Sequence, residues 1–292
     1  MKMNKILVPV VFHEASLRMV HQAAYLARHF HSEIILLHVV TPSEYPIGFF
    51  ERGDDIKARD LHAEAVRFAQ QELDQAFQSE LDGLGVKRVL RRGHPAHEIA
   101  QVAKDENADL IVLSSYGYGS FYRLLLGSVT AKVLHETERP VWIGAHLEEE
   151  APAPGEFAIR NILCAVNFDP HARDVLSHAA QLAGEFGARL ALAYVTSSVE
   201  IYGPGGSHVV PEFKEAVVGY ASKELAKLQQ DAGTSAEVII ESGDTAKRVR
   251  HVIEQTKADL LVIGHTPARG HLGENGNGYS IIRDARIPVL SV

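Results

Sequence analysis

The segment with the most chemical content runs Ser114-Ser115-Tyr116-Gly117-Tyr118-Gly119-Ser120 and continues to Gly127-Ser128-Val129-Thr130. Glycine has no Cβ, so a glycine-bearing loop lets the backbone come close to a phosphate. Gly127-Ser128 stands where a helix should open. The first N–H groups of a helix have no partner inside it, and its dipole favours negative charge there. The Ser128 hydroxyl suits either a phosphate contact or an N-cap. Glycine spacing alone leaves two readings open: an anion cradle, or a tight strand-to-helix turn that holds nothing.

Histidine is the other unusual residue, with 16 copies. His29-x-His31 and His94-x2-His97 are the notable pairs. Two imidazoles fall short of a zinc ligand set, and no cysteine or carboxylate cluster completes one. Capping or surface roles are therefore expected, and no metal is assigned. The single Cys164 lies in an apolar run and reads as a packing residue. Trp142 reads as core or interface. There is no Gly-x-Ser-x-Gly elbow, no full Walker loop and no nucleophile–base pair at recognisable spacing. Ser114 and Ser115 could meet a phosphate, but neither has an evident general base. No catalytic residue is assigned.

These residues need elements to position them. The chain has 292 residues, about twice a usual domain of ~100–150. Two domains are expected, and the chain reads as two copies of one unit. Ile6-Leu7-Val8 matches Ile162-Leu163-Cys164 at an offset of 156. Ala24, Leu26 and Ala27 match Ala180, Leu182 and Ala183 at the same offset. Ala108-Asp109-Leu110 matches Ala258-Asp259-Leu260 at 150, and Pro140-Val141 matches Pro288-Val289 at 148. Copy two is therefore six residues shorter between Val40 and Gly93, and two shorter between the fourth strand and Pro288. So long a period means duplicated domains. The expected boundaries are 1–147 and 159–292, with 148–158 as linker. Its core, EEEAPAPGE, is acidic and rich in Pro and Gly.

Each copy alternates apolar runs with helical periods. Strands are expected at Ile6–Val11, Ile34–Val40, Val86–Arg91, Leu110–Ser114 and Val141–Ala145. Helices are expected from Ser16, over Asp54–Leu81, from Gly93-His94-Pro95 and from Ser128. Copy two repeats this order and ends at Pro288–Val292. Apolar strands separated by helices imply parallel sheets covered on both faces. The fold class is α/β, with two tandem doubly wound five-stranded domains. In such sheets a ligand sits beyond the carboxyl ends of the strands, where the strand order reverses.

The composition narrows the partners. The formal charge is −8, and acidic chains are poor binders of a phosphate backbone, so no nucleic acid is expected. No apolar stretch approaches the ~20 residues of a membrane span. MKMNKILVPVV has too short an apolar run for a signal peptide. One cysteine makes no internal disulfide, so the cytoplasm is the expected compartment.

Leu-Ile-Val-Leu-Ser-Ser-Tyr-Gly-Tyr-Gly, then Leu-Leu-Leu-Gly-Ser-Val and Arg-Pro-Val-Trp-Ile, resemble the end of a universal stress protein domain. Ile-Leu-Val-Pro-Val and Gly-His-Pro-Ala-His-Glu-Ile fit the same pattern, and the resemblance covers both copies. It implies a sheet order of 3-2-1-4-5, as in adenine nucleotide alpha hydrolase-like folds. It also implies pairing of fifth-strand edges within the chain as an internal pseudo-dimer, with a homodimer as a further option. Nucleotide-binding members carry Gly-x2-Gly-x9-Gly-Ser/Thr after strand four. Ser114, Gly117, Gly127 and Ser128 keep that spacing, with serine at the first glycine. By resemblance Pro9, Val11 and Val39 would line the adenine and ribose region, and Val129 would follow the phosphate turn. The ligand implied is an adenine nucleotide, ATP with magnesium, acting as a sensing or regulatory input. At most, weak ATP hydrolysis is implied.

Copy one departs from the pattern at Val11, where the family has an aspartate. A missing charge-assisted hydrogen bond costs about 1.5–3 kcal/mol of affinity. Copy two has Asn167 there, Pro267 at the second glycine and Asn275-Gly276 at the turn, with Glu274 beside it. Proline removes an N–H donor. Copy two is expected not to hold a triphosphate in the usual way; it would take another ligand or serve as a structural partner. A stress scaffold acting through protein contacts, without nucleotide, is the alternative.

Overall fold

A computed structural model describes residues 3–41, 55–114, 126–144, 157–196, 200–203, 206–209, 211–264 and 277–292. In the first half β1 (Lys5–Pro9), α1 (Glu14–Phe30), β2 (Glu33–Val40), α2 (Asp55–Gln75) and β3 (Val86–Arg92) follow in order. They continue with α3 (Pro95–Asp105), β4 (Leu110–Ser114), α4 (Ser128–Glu136) and β5 (Val141–Gly144). The second half runs β6 (Asn161–Ala165), α5 (Ala172–Phe186), β7 (Arg189–Thr196), β8 (Glu200–Gly203) and β9 (Gly206–Val209). It ends with α6 (Pro211–Ala232), β10 (Glu237–Ser242), α7 (Thr245–Thr256), β11 (Leu260–Ile263), α8 (Asn277–Asp284) and β12 (Val289–Ser291). The β8–β9 hairpin has no counterpart in the sequence reading.

The first half has the strand order 3-2-1-4-5, all parallel. The two five-stranded units are joined edge to edge through their fifth strands, the pairing that the resemblance implies, so they form a continuous sheet rather than two sheets side by side. One ten-stranded sheet runs β10-β7-β6-β11-β12-β5-β4-β1-β2-β3. Its two halves meet through β5 and β12, which pair antiparallel. An isolated fifth strand would leave a row of unpaired N–H and C=O groups, and this pairing uses them. The register places Trp142 opposite Leu290, with Ile143 opposite Val289 and Val141 opposite Ser291. Trp142 and Leu290 are also equivalent at the offset of 148, so the pseudo-two-fold axis passes between them.

Two cores lie on the two faces of this sheet, and each spans both halves. One gathers Val8, Val20, Leu26, Leu73 and Trp142 with Cys164, Leu176, Leu182 and Leu225. The other gathers Leu37, Ile99, Val133 and Ile143 with Val249, Leu261, Ile282 and Val289. The helices α1, α2, α5 and α6 therefore cover one face, and α3, α4, α7 and α8 the other, as apolar strands require. Phe30 and Phe186, equivalent at 156, meet edge-to-face at 5.7 Å. Phe157, within the span read as linker, packs on Tyr25 at 5.0 Å and Trp142 at 6.2 Å. Residues 148–156 lie outside the described residues. Cys164 is fully buried, and burial pushes its thiol pKa well up, which keeps it out of the reactive thiolate form.

Local devices recur in both halves. Gly93 and Gly243 have φ of 142° and 129°, where a side chain is strained, and each turns a third strand into the following helix. Asp109 Oδ2 accepts from the N–H groups of Asn4 and Lys5 at 2.7 and 3.0 Å. Asp259 Oδ2 accepts from Arg160 and Asn161, both at 2.8 Å. Each carboxylate fastens the start of a fourth strand to the start of a first.

The seam carries one flaw. Ser291 is fully buried and its hydroxyl has no hydrogen-bond partner. The equivalent residue in the first half is Ile143. Removing the unpaired hydroxyl should stabilise the fold: Ser291→Ala is expected to raise stability by about 1 kcal/mol in denaturant unfolding. A midpoint that falls would mean that the hydroxyl is satisfied in solution.

Candidate functional site

The candidate site in the first half lies beyond the carboxyl ends of β1 and β4, where the strand order reverses. Pro9 ends β1 and pairs with Leu37 of β2. Val39, near the end of β2, is buried against the α3/α4 core. Ser114 ends β4 and pairs with Gly144 of β5. Its carbonyl accepts a 2.7 Å hydrogen bond from Thr130 Oγ1 in the first turn of α4. That bond ties the start of α4 to the end of β4. Gly127 is the N-cap of α4, with φ −55° and ψ 136°, and its carbonyl accepts from Ala131 N at 2.9 Å. Ser128 is the first residue of the helix and is exposed, while Val129 is half-buried on the core. No acidic residue stands in the first turn of α4, so nothing there opposes an anion at the positive end of its dipole. Pro9, Val39, Ser114, Gly127, Ser128 and Val129 thus all belong to strand ends or to the opening of α4. Gly117 lies outside the described residues.

Val11 differs from the sequence reading. It was expected within a strand to residue 11, but β1 stops at Pro9. Side chains take over the strand end: the Val10 carbonyl is bonded by His38 Nδ1 at 2.9 Å, and Val11 N–H donates to Ser16 Oγ at 3.0 Å. A carbonyl only accepts, so His38 carries its proton on Nδ1. Phe12 lies against His38, with ring centroids 4.2 Å apart and the planes tilted by 32°. The second half repeats this pair as Phe168 on Tyr194 at 4.3 Å, again at an offset of 156. Sequence reasoning missed His38, Ser16 and Thr130. The apolar periods single out none of them, and only the folded strand end shows what they bond.

The equivalent place in the second half holds a cleft of about 170 Å³. Ala165, Val166 and Asn167 at the end of β6, Ala193 and Val195 of β7, and Ile263 of β11 form its floor. Val175, Thr245, Val249, Gly278 and Ile281 close it from α5, α7 and α8. Among its described lining residues none is charged. The loop read as degenerate, residues 265–276, lies outside the described residues. Among the described residues no group of three metal-ligating side chains comes together, and no helix is long and apolar enough to cross a membrane.

The comparisons agree with this architecture. The Universal stress protein family model matches residues 2–143 and 158–292. A universal stress protein of Methanocaldococcus jannaschii is 28% identical over 153 residues, covering 48% of this chain and 93% of its own. One from Mycobacterium tuberculosis is 23% identical over 291 residues, covering 92% and 93%. The crystal structure of a universal stress protein from Archaeoglobus fulgidus superposes with a TM-score of 0.70 at 21% identity, over 100% of this chain and 98% of that one. With two family regions that account for both halves of one ten-stranded sheet, the chain belongs to the universal stress protein family as a tandem, two-domain member.

Proposed function

We propose that the first half binds an adenine nucleotide, ATP with magnesium, and that occupancy is a regulatory input in a stress response rather than a turnover step. The observation that carries this reading is the opening of α4. Gly127 and Ser128 present a helix N-terminus at the carboxyl end of β4, held by the Thr130–Ser114 hydrogen bond. In this reading Pro9 at the end of β1 and Val39 near the end of β2 are the apolar residues assigned to the base and sugar. The preserved spacing from Ser114 through Gly117 to Gly127-Ser128 supports the same ligand. Val11 weakens the site by about 1.5–3 kcal/mol relative to an aspartate.

Calorimetry with ATP and magnesium is expected to show one site per chain. Gly127→Glu is expected to abolish it by setting a carboxylate at the phosphate turn. The φ of −55° at Gly127 suits any residue, so the fold should survive that change. Absence of heat at millimolar ATP would sink the reading. The half-buried aliphatic Val11 would then favour the scaffold that works through protein contacts.

A further inference from the structure

The two outer edges of the ten-stranded sheet carry opposite charge. β3 and β10 end the strand order, and among the described residues each pairs with a strand on one side only. Gly93 and Gly243 set an offset of 150 between them. At that offset Lys87 corresponds to Glu237 and Arg91 to Glu241, while Val89 and Leu90 correspond to Ile239 and Ile240. Charge is reversed at both ends of the strand, and the apolar residues between are kept. An edge strand is a template for another chain, and charges of one sign along it keep other chains off. Opposite signs on the two edges act differently. They hold like edges apart and draw unlike edges together.

We infer that this chain associates with further copies of itself, β3 of one copy pairing antiparallel with β10 of the next. Strand direction allows it. Each half is parallel within itself and the seam is antiparallel, so β3 and β10 run in opposite senses. A copy moved sideways along the sheet therefore presents β10 antiparallel to β3. Register then matches charge. With Val89 opposite Ile239, Lys87 faces Glu241 and Arg91 faces Glu237. All six lie on one face of the sheet by the alternation of a strand, and Val89 and Ile239 both pack on the core of that face. On the other face Leu90 meets Val238, which is 37% exposed in the single chain. Pairing of like edges fails the same check. β3 on β3 about Val89 sets Lys87 against Arg91, and β10 on β10 about Ile239 sets Glu237 against Glu241, and like charges directly opposite destabilise a pair. Inside the chain Lys87 meets Glu106 at 2.7 Å, Arg91 meets Asp105 at 3.8 Å and Glu241 meets Arg248 at 3.6 Å. Lys87 and Arg91 remain 48% and 41% exposed, and such surface pairs are weak and leave N–H donors to spare. A contact between two different edges grows into an open chain or closes into a ring.

Sedimentation of the full chain over a concentration series at low ionic strength tests this. The average mass should climb past twice that of one chain, and should fall back in about 1 M salt, where charges are screened within about 3 Å. Lys87→Glu with Arg91→Glu makes both edges acidic, and Glu237→Lys with Glu241→Lys makes both basic. Each double variant alone should lose the growth, and an equal mixture of the two should regain it. Val238→Lys, at an exposed site outside these ion pairs, should also stop growth, because it sets a cation between Arg88 and Arg92 of the next copy. A chain that stays monomeric at its highest soluble concentration overturns the inference, and so does growth that stops at a dimer. Growth that persists in the charge variants, or fails to return when the two folded variants are mixed, overturns it as well. Nucleotide has no part in this contact, so its failure leaves the reading of the first half untouched.

Discussion

Trp142→Ala is expected to lower stability by about 4–5 kcal/mol, more than any other single change considered. The side chain is fully buried at the seam, opposite Leu290, and its Nε1–H donates to Gln22 Oε1 at 2.7 Å. Truncating a buried tryptophan costs about 3–5 kcal/mol through lost contacts and the cavity left behind. Gln22 is buried too, so losing its partner leaves an amide oxygen unsatisfied, worth about 1–3 kcal/mol. The two penalties overlap, because the cavity admits water to the amide. Thermal unfolding should show a midpoint lower by roughly 10 °C. Gln22→Leu alone should cost about 1–2 kcal/mol by orphaning the indole N–H. Combining Gln22→Leu with Trp142→Phe should cost less than the sum of the two, since both ends of one hydrogen bond go together. A Trp142→Ala protein that melts within a degree or two of the parent would show that the seam adds little to stability.

Asp109→Ala and Asp259→Ala are each expected to cost about 2–4 kcal/mol, and the costs should add. Each carboxylate accepts two backbone N–H bonds of 2.7–3.0 Å, and ionised acceptors make the stronger kind. Without the carboxylate, the first N–H groups of β1 or β6 lose their anchor just where the strand enters the sheet. The strand order separates β4 from β11 by β5 and β12, about 14 Å across the sheet. The antiparallel seam also sets the two aspartates at opposite ends of it. Distant sites without shared partners behave independently, so the double variant should show the sum within about 0.5 kcal/mol. Both aspartates lie at the amino ends of their strands, away from the candidate site, so ATP titrations of the folded variants should be unchanged. Denaturant midpoints that move for one aspartate and not for the other would break the equivalence of the two halves.

Much of the fold is legible in the sequence. Strand four at Leu110–Ser114 and the start of α4 at Ser128 fall where expected. The apolar run and the Gly-Ser step each have a local cause. The third strand and the long second helix match within a few residues, apart from the end of α2 at Gln75 rather than Leu81. The misses share a different origin. β1 ends early where His38 and Ser16 take its last backbone groups; Ser16 is five residues on, but His38 comes from the neighbouring strand β2. The matched Ala-Asp-Leu triplets were visible as a repeat, but the four N–H groups that their aspartates bind lie roughly a hundred residues away.

The candidate site divides in the same way. Residue type and spacing pointed to Ser114, Gly127 and Ser128, because glycine and helix-opening chemistry are local properties. The hollow in the second half was not visible there, since an alanine at position 193 is unremarkable until its neighbours are known.

By itself the sequence determined that the chain is a doubled α/β unit with buried parallel strands and a helix opening at Ser128. Hydrophobic period, turn residues and offset are all written along the chain. The resemblance pointed to the fifth-strand edges, but only the tertiary structure decided the register of their pairing, antiparallel with Trp142 facing Leu290 across the seam. It also decided that a cleft opens at the end of β6, between β7, α7 and α8. Edge pairing and cavity volume depend on which distant side chains meet and how much space they leave, and spacing along the chain carries neither quantity.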